Sequence, residues 1–90
     1  MQVGDVDEER GVRCMHVALK NGAVIWRDDW NHYALHEGSV AVGSMENEKF
    51  AVTAFVAAGE WSLVFDAWSQ GDHLPEFETA YVGPFGGERF

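Results

Sequence analysis

The chain has a single cysteine, two prolines and only six basic residues, and these scarcities remove classes of answer. Cys14 has no partner for an internal disulfide, so the fold must hold without a covalent staple, which points to a reducing, cytoplasmic setting. Six Lys plus Arg stand against fifteen Asp plus Glu, and the resulting charge of −9 repels nucleic acid and anionic membrane surfaces. No apolar run approaches the ~18 residues of a membrane span. The first ten residues, with Asp5, Asp7, Glu8 and Glu9, lack the basic and then apolar pattern of a secretory signal. Catalytic signatures are missing too. Ser39, Ser44, Ser62 and Ser69 have no Gly-x-Ser-x-Gly frame, and the Gly-rich C-terminal stretch is neither a phosphate loop nor a dinucleotide fingerprint. The expectation is a protein that is not an enzyme and needs no cofactor.

What is present fills a core. The composition is 47% hydrophobic and 13% aromatic, too apolar for a disordered acidic chain. Ninety residues allow one small domain. The acidic stretch 1–11 has no hydrophobic period and reads as a flexible arm. Residues 12–83 read as a single antiparallel β domain, and 84–90 as a Gly- and Pro-rich tail.

Short apolar runs rich in Val, Phe and Trp, spaced by turn residues, predict a mainly β fold: an antiparallel meander, small barrel or sandwich. Asn21-Gly22 suits a type I′ turn, which would pair Leu19 with Val24, Val17 with Trp26 and His16 with Arg27. Glu37-Gly38 would likewise pair Leu35 with Val40 and Tyr33 with Val42. A loop of Glu46, Asn47 and Glu48 would set Val42 against Val52 and Val40 against Ala54. Gly59-Glu60 then suits a type II′ turn, pairing Val56 with Leu63, Ala54 with Phe65 and Phe55 with Val64. Pro75 ends this run, and residues 77–82 read as a last strand.

An α+β alternative places helix at 45–70, where Ser44 could cap the start and Gly71 the end. Against one continuous helix, the polar residues Glu46, Lys49, Thr53 and Glu60 fall roughly opposite Ser62, Asp66 and Ser69 at about 100° per residue.

Three groups of residues are candidates for function. Carboxylates cluster at Asp28-Asp29, at Glu46 and Glu48, and at Asp72, Glu76 and Glu78; gathered on one side, they would bind a basic protein surface or imitate a row of phosphates. Phe55, Val64 and Trp68 alternate with Thr53, Asp66 and Ser62, so they would form a second apolar face suited to a homodimer or a docked partner. Asp28, His32 and His36 recur every four residues, which on a helix would offer a divalent metal two imidazoles and a carboxylate; along a strand the two histidines are too far apart. His16 and His73 could supply acid or base groups only within a pocket.

The function expected is therefore non-enzymatic: an inhibitor or adaptor docking on a basic, even nucleic-acid-binding, protein. Virus-encoded inhibitors of defence systems share this size and charge. The two alternatives are a homo-oligomeric assembly component and a small metal-dependent hydrolase using Asp28, His32 and His36.

Overall fold

The computed structural model describes residues 3–71 and the backbone of residues 80–82. It is mainly β, built of antiparallel strands, with no helix among the described residues. Among the described residues no helix is long and apolar enough to cross a membrane. The strands run β1 Val6–Asp7, β2 Gly11–Leu19, β3 Val24–Trp26, β4 His32–His36, β5 Ser39–Glu46, β6 Lys49–Val56, β7 Trp61–Trp68 and β8 Ala80–Val82. The helical alternative at 45–70 gives way to β5, β6 and β7, as expected where no single face of a helix could be apolar.

Two sheets form. One has the order β1-β2-β7-β8, with β3 also pairing β2; the other has the order β4-β5-β6. The core cluster draws on both, with Met15, Val17, Trp61 and Val64 from the first and Tyr33, Val40 and Val42 from the second, and with Trp30 from the loop between β3 and β4. Alternation along each strand explains the set, since Met15 and Val17 share one face of β2 while Val40 and Val42 share one face of β5.

Three of the four expected turns differ in detail from their sequence-based registers, and the differences matter. At Glu37-Gly38 both residues have positive φ, 51° and 84°, and Leu35 meets Val40 and Tyr33 meets Val42 as expected. At Asn21-Gly22 only Gly22 is left-handed, with φ 91°. The Gly22 N–H donates to Leu19 C=O at 3.0 Å and the Leu19 N–H to Ala23 C=O at 2.8 Å, so the loop has three residues, Lys20 to Gly22, closed by a glycine bulge. The register slips by one: Val17 faces Ile25 and His16 faces Trp26. Ile25 thus packs against the core, and Trp26 turns to the other side of the sheet.

Between β5 and β6 the loop is the two-residue Asn47-Glu48, with φ 49° and 65°, and Glu46 faces Lys49. A bulge between Val42 and Gly43 then resets the ladder, so Val42 faces Ala54 and Val40 faces Val56. Two extra positions relative to the expected register leave the same side chains pointing inward. Gly43 is required here, because a Cβ would run into the Ala51 carbonyl of β6.

The expected hairpin of β6 with β7 does not form. Glu60 N–H donates to Ala57 C=O at 3.1 Å, with Gly59 at φ 87° in the third position, and this type II corner carries the chain into the other sheet. There β7 pairs along its length with β2, from Arg13 opposite Trp68 to Leu19 opposite Trp61. Trp61 locks the corner by donating its indole N–H to Gly38 C=O at 2.9 Å.

Where an arm is expected, residues 3–10 fold back on β2. Val6 pairs with Val12, Gly4 N–H donates to Arg13 C=O at 2.7 Å, and Asp7 Oδ1 accepts from the amides of Glu9 and Arg10 at 2.8 and 3.0 Å. These backbone bonds hold the Asp7 carboxyl below its ordinary pKa. The tail at 84–90, Pro75 and the 77–79 part of the last strand lie outside the described residues.

Candidate functional site

Paired strands are antiparallel throughout, and backbone bonds between loops group them toward two ends of the sandwich. One end carries the loops after β2, β4 and β6. Lys20 N–H donates to Glu60 C=O at 2.9 Å and Ala58 N–H to Ser39 Oγ at 3.2 Å, joining these loops. The opposite end carries the loops after β1, β3, β5 and β7. Met15 N–H donates to Trp30 C=O, Asn31 N–H to Gly43 C=O, Met45 N–H to Asn31 Oδ1 and Gln70 N–H to Arg10 C=O, all between 2.8 and 3.0 Å.

That opposite end is acidic. Asp7 closes β1 and Glu8 and Glu9 follow it, Asp28 and Asp29 lie in the loop after β3, and Glu46 closes β5 with Glu48 in the turn beyond, against Arg10, Arg27 and Lys49. Asp7 already holds Arg10 at 3.4 Å. Asp28 and Asp29 occupy the two central places of a turn closed by Trp30 N–H on Arg27 C=O, and both are exposed. Four of the carboxylates singled out in the sequence, Asp28, Asp29, Glu46 and Glu48, therefore share one end. Asp72, Glu76 and Glu78 lie outside the described residues, as does His73.

The expected apolar triad is split. Phe55 is 62% exposed, but Val64 is fully buried in the core and Trp68 is buried. The cause is the corner at Gly59: with β6 and β7 in different sheets, Phe55 never meets Val64. What Phe55 shares instead, by register through Ala41, is the outer face of β4-β5-β6 with Ala34, and Val52 and Met45 are also exposed there.

β6 is an edge strand, paired among the described residues only with β5. Near its C-terminal end a cleft of about 260 Å³ opens between the sheets. Leu19, Asn21 and Ile25 form one wall, and Phe55, Val56, Ala57 and Glu60 the other.

The metal candidates do not converge. β4 is extended, so His32 and His36 stand roughly 13 Å apart along it. His32 meets the edge of Phe50, and burial lowers its pKa. His36 Nε2 lies 3.9 Å from Glu37 Oε2 in the open. Among the described residues no group of three His, Cys, Asp or Glu side chains is placed to hold a metal.

Neither His16 nor Cys14 lines the cleft. His16 is fully buried between Trp26 and Phe65, with ring centroids 5.5 and 5.3 Å away, and its Nδ1 donates to Cys14 C=O at 3.0 Å. The Cys14 thiol is pushed up to about 12, first by burial and then by Asp28, Asp29 and Asp66. A thiol so rarely ionised is a poor nucleophile.

Sequence reasoning missed two polar contacts that shape the interior. Arg13 Nε donates to Asp66 Oδ2 at 2.8 Å with both side chains buried, and the Trp30 indole donates to Thr53 Oγ1 at 2.6 Å, filling the β6 bulge. Asp66 was detectable as a lone acid in an otherwise apolar strand, because a charge in such a place needs a partner. Asp66 Oδ1 and the Trp68 indole N–H have no hydrogen-bond partner among the described residues.

No protein-family model, curated protein or solved structure matches this chain.

Proposed function

We propose that this domain is a non-catalytic binding protein, an inhibitor or adaptor, that docks its acidic end on a basic surface of another protein in the cytoplasm. The observation that carries the reading is the gathering of Asp28, Asp29, Glu46 and Glu48 toward one end of the sandwich, where Asn31 ties the β3–β4 loop to Gly43 and Met45 of β5. Several like charges on one pole produce a directional field. That field steers a basic partner and fades as salt shortens the Debye length below about 10 Å. Nucleic acid carries the wrong charge for this end, whereas the basic groove of a nucleic-acid-binding protein carries the right one.

The test compares native-host proteins captured by the wild-type chain with those captured by a D28K/D29K/E46K/E48K variant, over rising salt. The same exposed positions make the variant foldable. Basic proteins retained by the wild type at low salt, and lost both at high salt and with the variant, support the reading. An identical set on both proteins at every salt concentration overturns it.

A second reading, a homodimer or larger assembly, draws on one observation: Met45, Val52 and Phe55 are exposed on or beside the outer face of β4-β5-β6. Sedimentation separates the two. A dimer that resists salt and has no other partner favours assembly.

A further inference from the structure

We propose, resting on the reading above, that the edge of β6 away from β5, which pairs with no strand among the described residues, receives an extended segment of the partner protein as an added antiparallel strand. The segment places an apolar side chain in the cleft at Leu19, Ile25, Phe55 and Val56, and Lys or Arg side chains against the acidic end.

The edge comes first. β6 spans eight residues, whereas the other strands that present an edge among the described residues are shorter: β1 has two, β3 three, β4 five and β8 three. From Phe50 to Val56 it carries neither charge nor proline, two of the usual means of keeping an edge from pairing; it does carry a bulge, which leaves Ala54 to Val56, beside the cleft, as its regular stretch. Its one irregularity, the bulge, turns the Thr53 hydroxyl inward to the Trp30 indole and puts no charge on the edge. Val52 and Phe55 are 51% and 62% exposed along it. A strand whose outer backbone groups meet no other strand among the described residues, and which exposes apolar side chains, is a template for strand addition.

The two ends of that edge differ in chemistry, and the difference fixes the occupant. Phe55 and Val56 run into the apolar cleft, while Lys49 abuts the turn that bears Glu46 and Glu48, with Asp28 and Asp29 on the same end. β6 runs from the acidic end to the cleft, so an antiparallel strand runs from cleft to acids. Its apolar anchor therefore precedes its basic residues. At about 3.3 Å per residue the seven positions opposite Phe50 to Val56 span about 20 Å, which sets the separation at about six to eight residues.

A second copy would supply the same backbone bonds but the wrong charge. Antiparallel pairing of two β6 edges carries one copy's Glu46 and Glu48 to the end where the other has Glu60, between chains that each bear −9. Charge complementarity selects a basic segment instead.

The probe is a ten-residue peptide beginning with Phe, continuing as alternating Thr and Val, and ending Lys-Arg-Lys, titrated calorimetrically against the full chain with amide shifts followed by NMR. Binding that shifts the Phe50 to Val56 amides is expected. Affinity should fall at least tenfold for the peptide of reversed order, for one N-methylated at alternate residues and for the F55D protein. Phe55 is exposed enough that F55D should fold, which its amide spectrum verifies.

The outcomes separate edge from charge. If the N-methylated peptide binds as well as the parent, the contact is electrostatic only, so strand addition is overturned and the acidic-end reading stands. If the E46K/E48K protein binds as well as wild type, the basic half of this proposal and the reading beneath it both fail. If no peptide binds, the proposal is overturned whether the protein sediments as a monomer or as a dimer.

Discussion

β6 and β7 are adjacent in sequence, equal in length and similar in composition, yet the protein treats them in opposite ways. β7 is a central strand, flanked by β2 and β8, and buries Trp61 and every residue from Val64 to Trp68. β6 is an edge that leaves Ala51, Val52, Thr53 and Phe55 exposed. Apolar content thus decides neither burial nor role. Position in the sheet does, because a central strand between covered faces hides both sets of alternating side chains, while an edge strand hides one.

The largest effect expected from this contrast lies at the buried ion pair of the first sheet. Asp66→Ala removes the carboxylate that Arg13 meets in a site where both side chains were hidden, and breaking one half of such a pair costs about 3–5 kcal/mol. That is a large share of a small domain's stability. Urea denaturation should show the loss, and replacing both partners together, as R13M/D66L, should recover most of it. A double variant as unstable as the single one would mean that the charges hold the fold by more than their mutual contact. The comparison then sharpens at matched valines. Val64→Ala on β7 should cost about 2–3 kcal/mol, whereas Val52→Ala on β6 should stay within about 0.5 kcal/mol. Equal losses would show that β6 is covered in solution.

How much of this could be read in advance varies with the range of the interaction. The Glu37-Gly38 hairpin was legible to the residue, because a two-residue turn with both φ positive fixes the register of its flanks. Asn21-Gly22 was legible as a turn but not as a register: Asn-Gly serves a two-residue loop and a three-residue bulged loop equally well, and the choice moved Trp26 and Ile25 to opposite faces. The corner at Gly59 was illegible. Whether a glycine turn returns a strand to its neighbour or swings it into another sheet depends on β2, which lies more than forty residues away from β7 in the chain. The apolar triad of Phe55, Val64 and Trp68 was lost with it. The acidic end was half legible, since the clusters stood in the sequence while their convergence required the tie between the β3–β4 loop and β5.

A third test targets the seam between β5 and the exposed strand. Gly43→Ala places a methyl against the Ala51 backbone, which cannot swing aside as a flexible side chain can, so a cost of about 1–3 kcal/mol is expected. The loss should appear as faster hydrogen exchange in β5 and β6 before β7. Simultaneous loss in all three strands would mean that the two sheets unfold as one unit despite their different burial.

The smallest effects are pH dependences, and they fall on opposite sides of neutrality for the two sheets. Cys14, on β2, has its thiol raised from the usual 9.0 to about 12, so the unfolded chain ionises first; stability is full below pH 9 and declines as pH rises toward 12. His32, on β4, is lowered by burial from its usual 6.5, so the unfolded chain takes the proton first; its contribution is full above 6.5 and is lost as pH falls through the lowered value. Urea midpoints measured from pH 5 to 10 should therefore sag at both extremes. Cys14→Ala should flatten the alkaline decline and leave the acid one, and His32→Gln should do the reverse. Because His32 is only partly buried on the more open sheet, its limb should be the shallower of the two. An acid decline steeper than the alkaline one would place the stronger desolvation in β4 and reverse the ranking of the sheets.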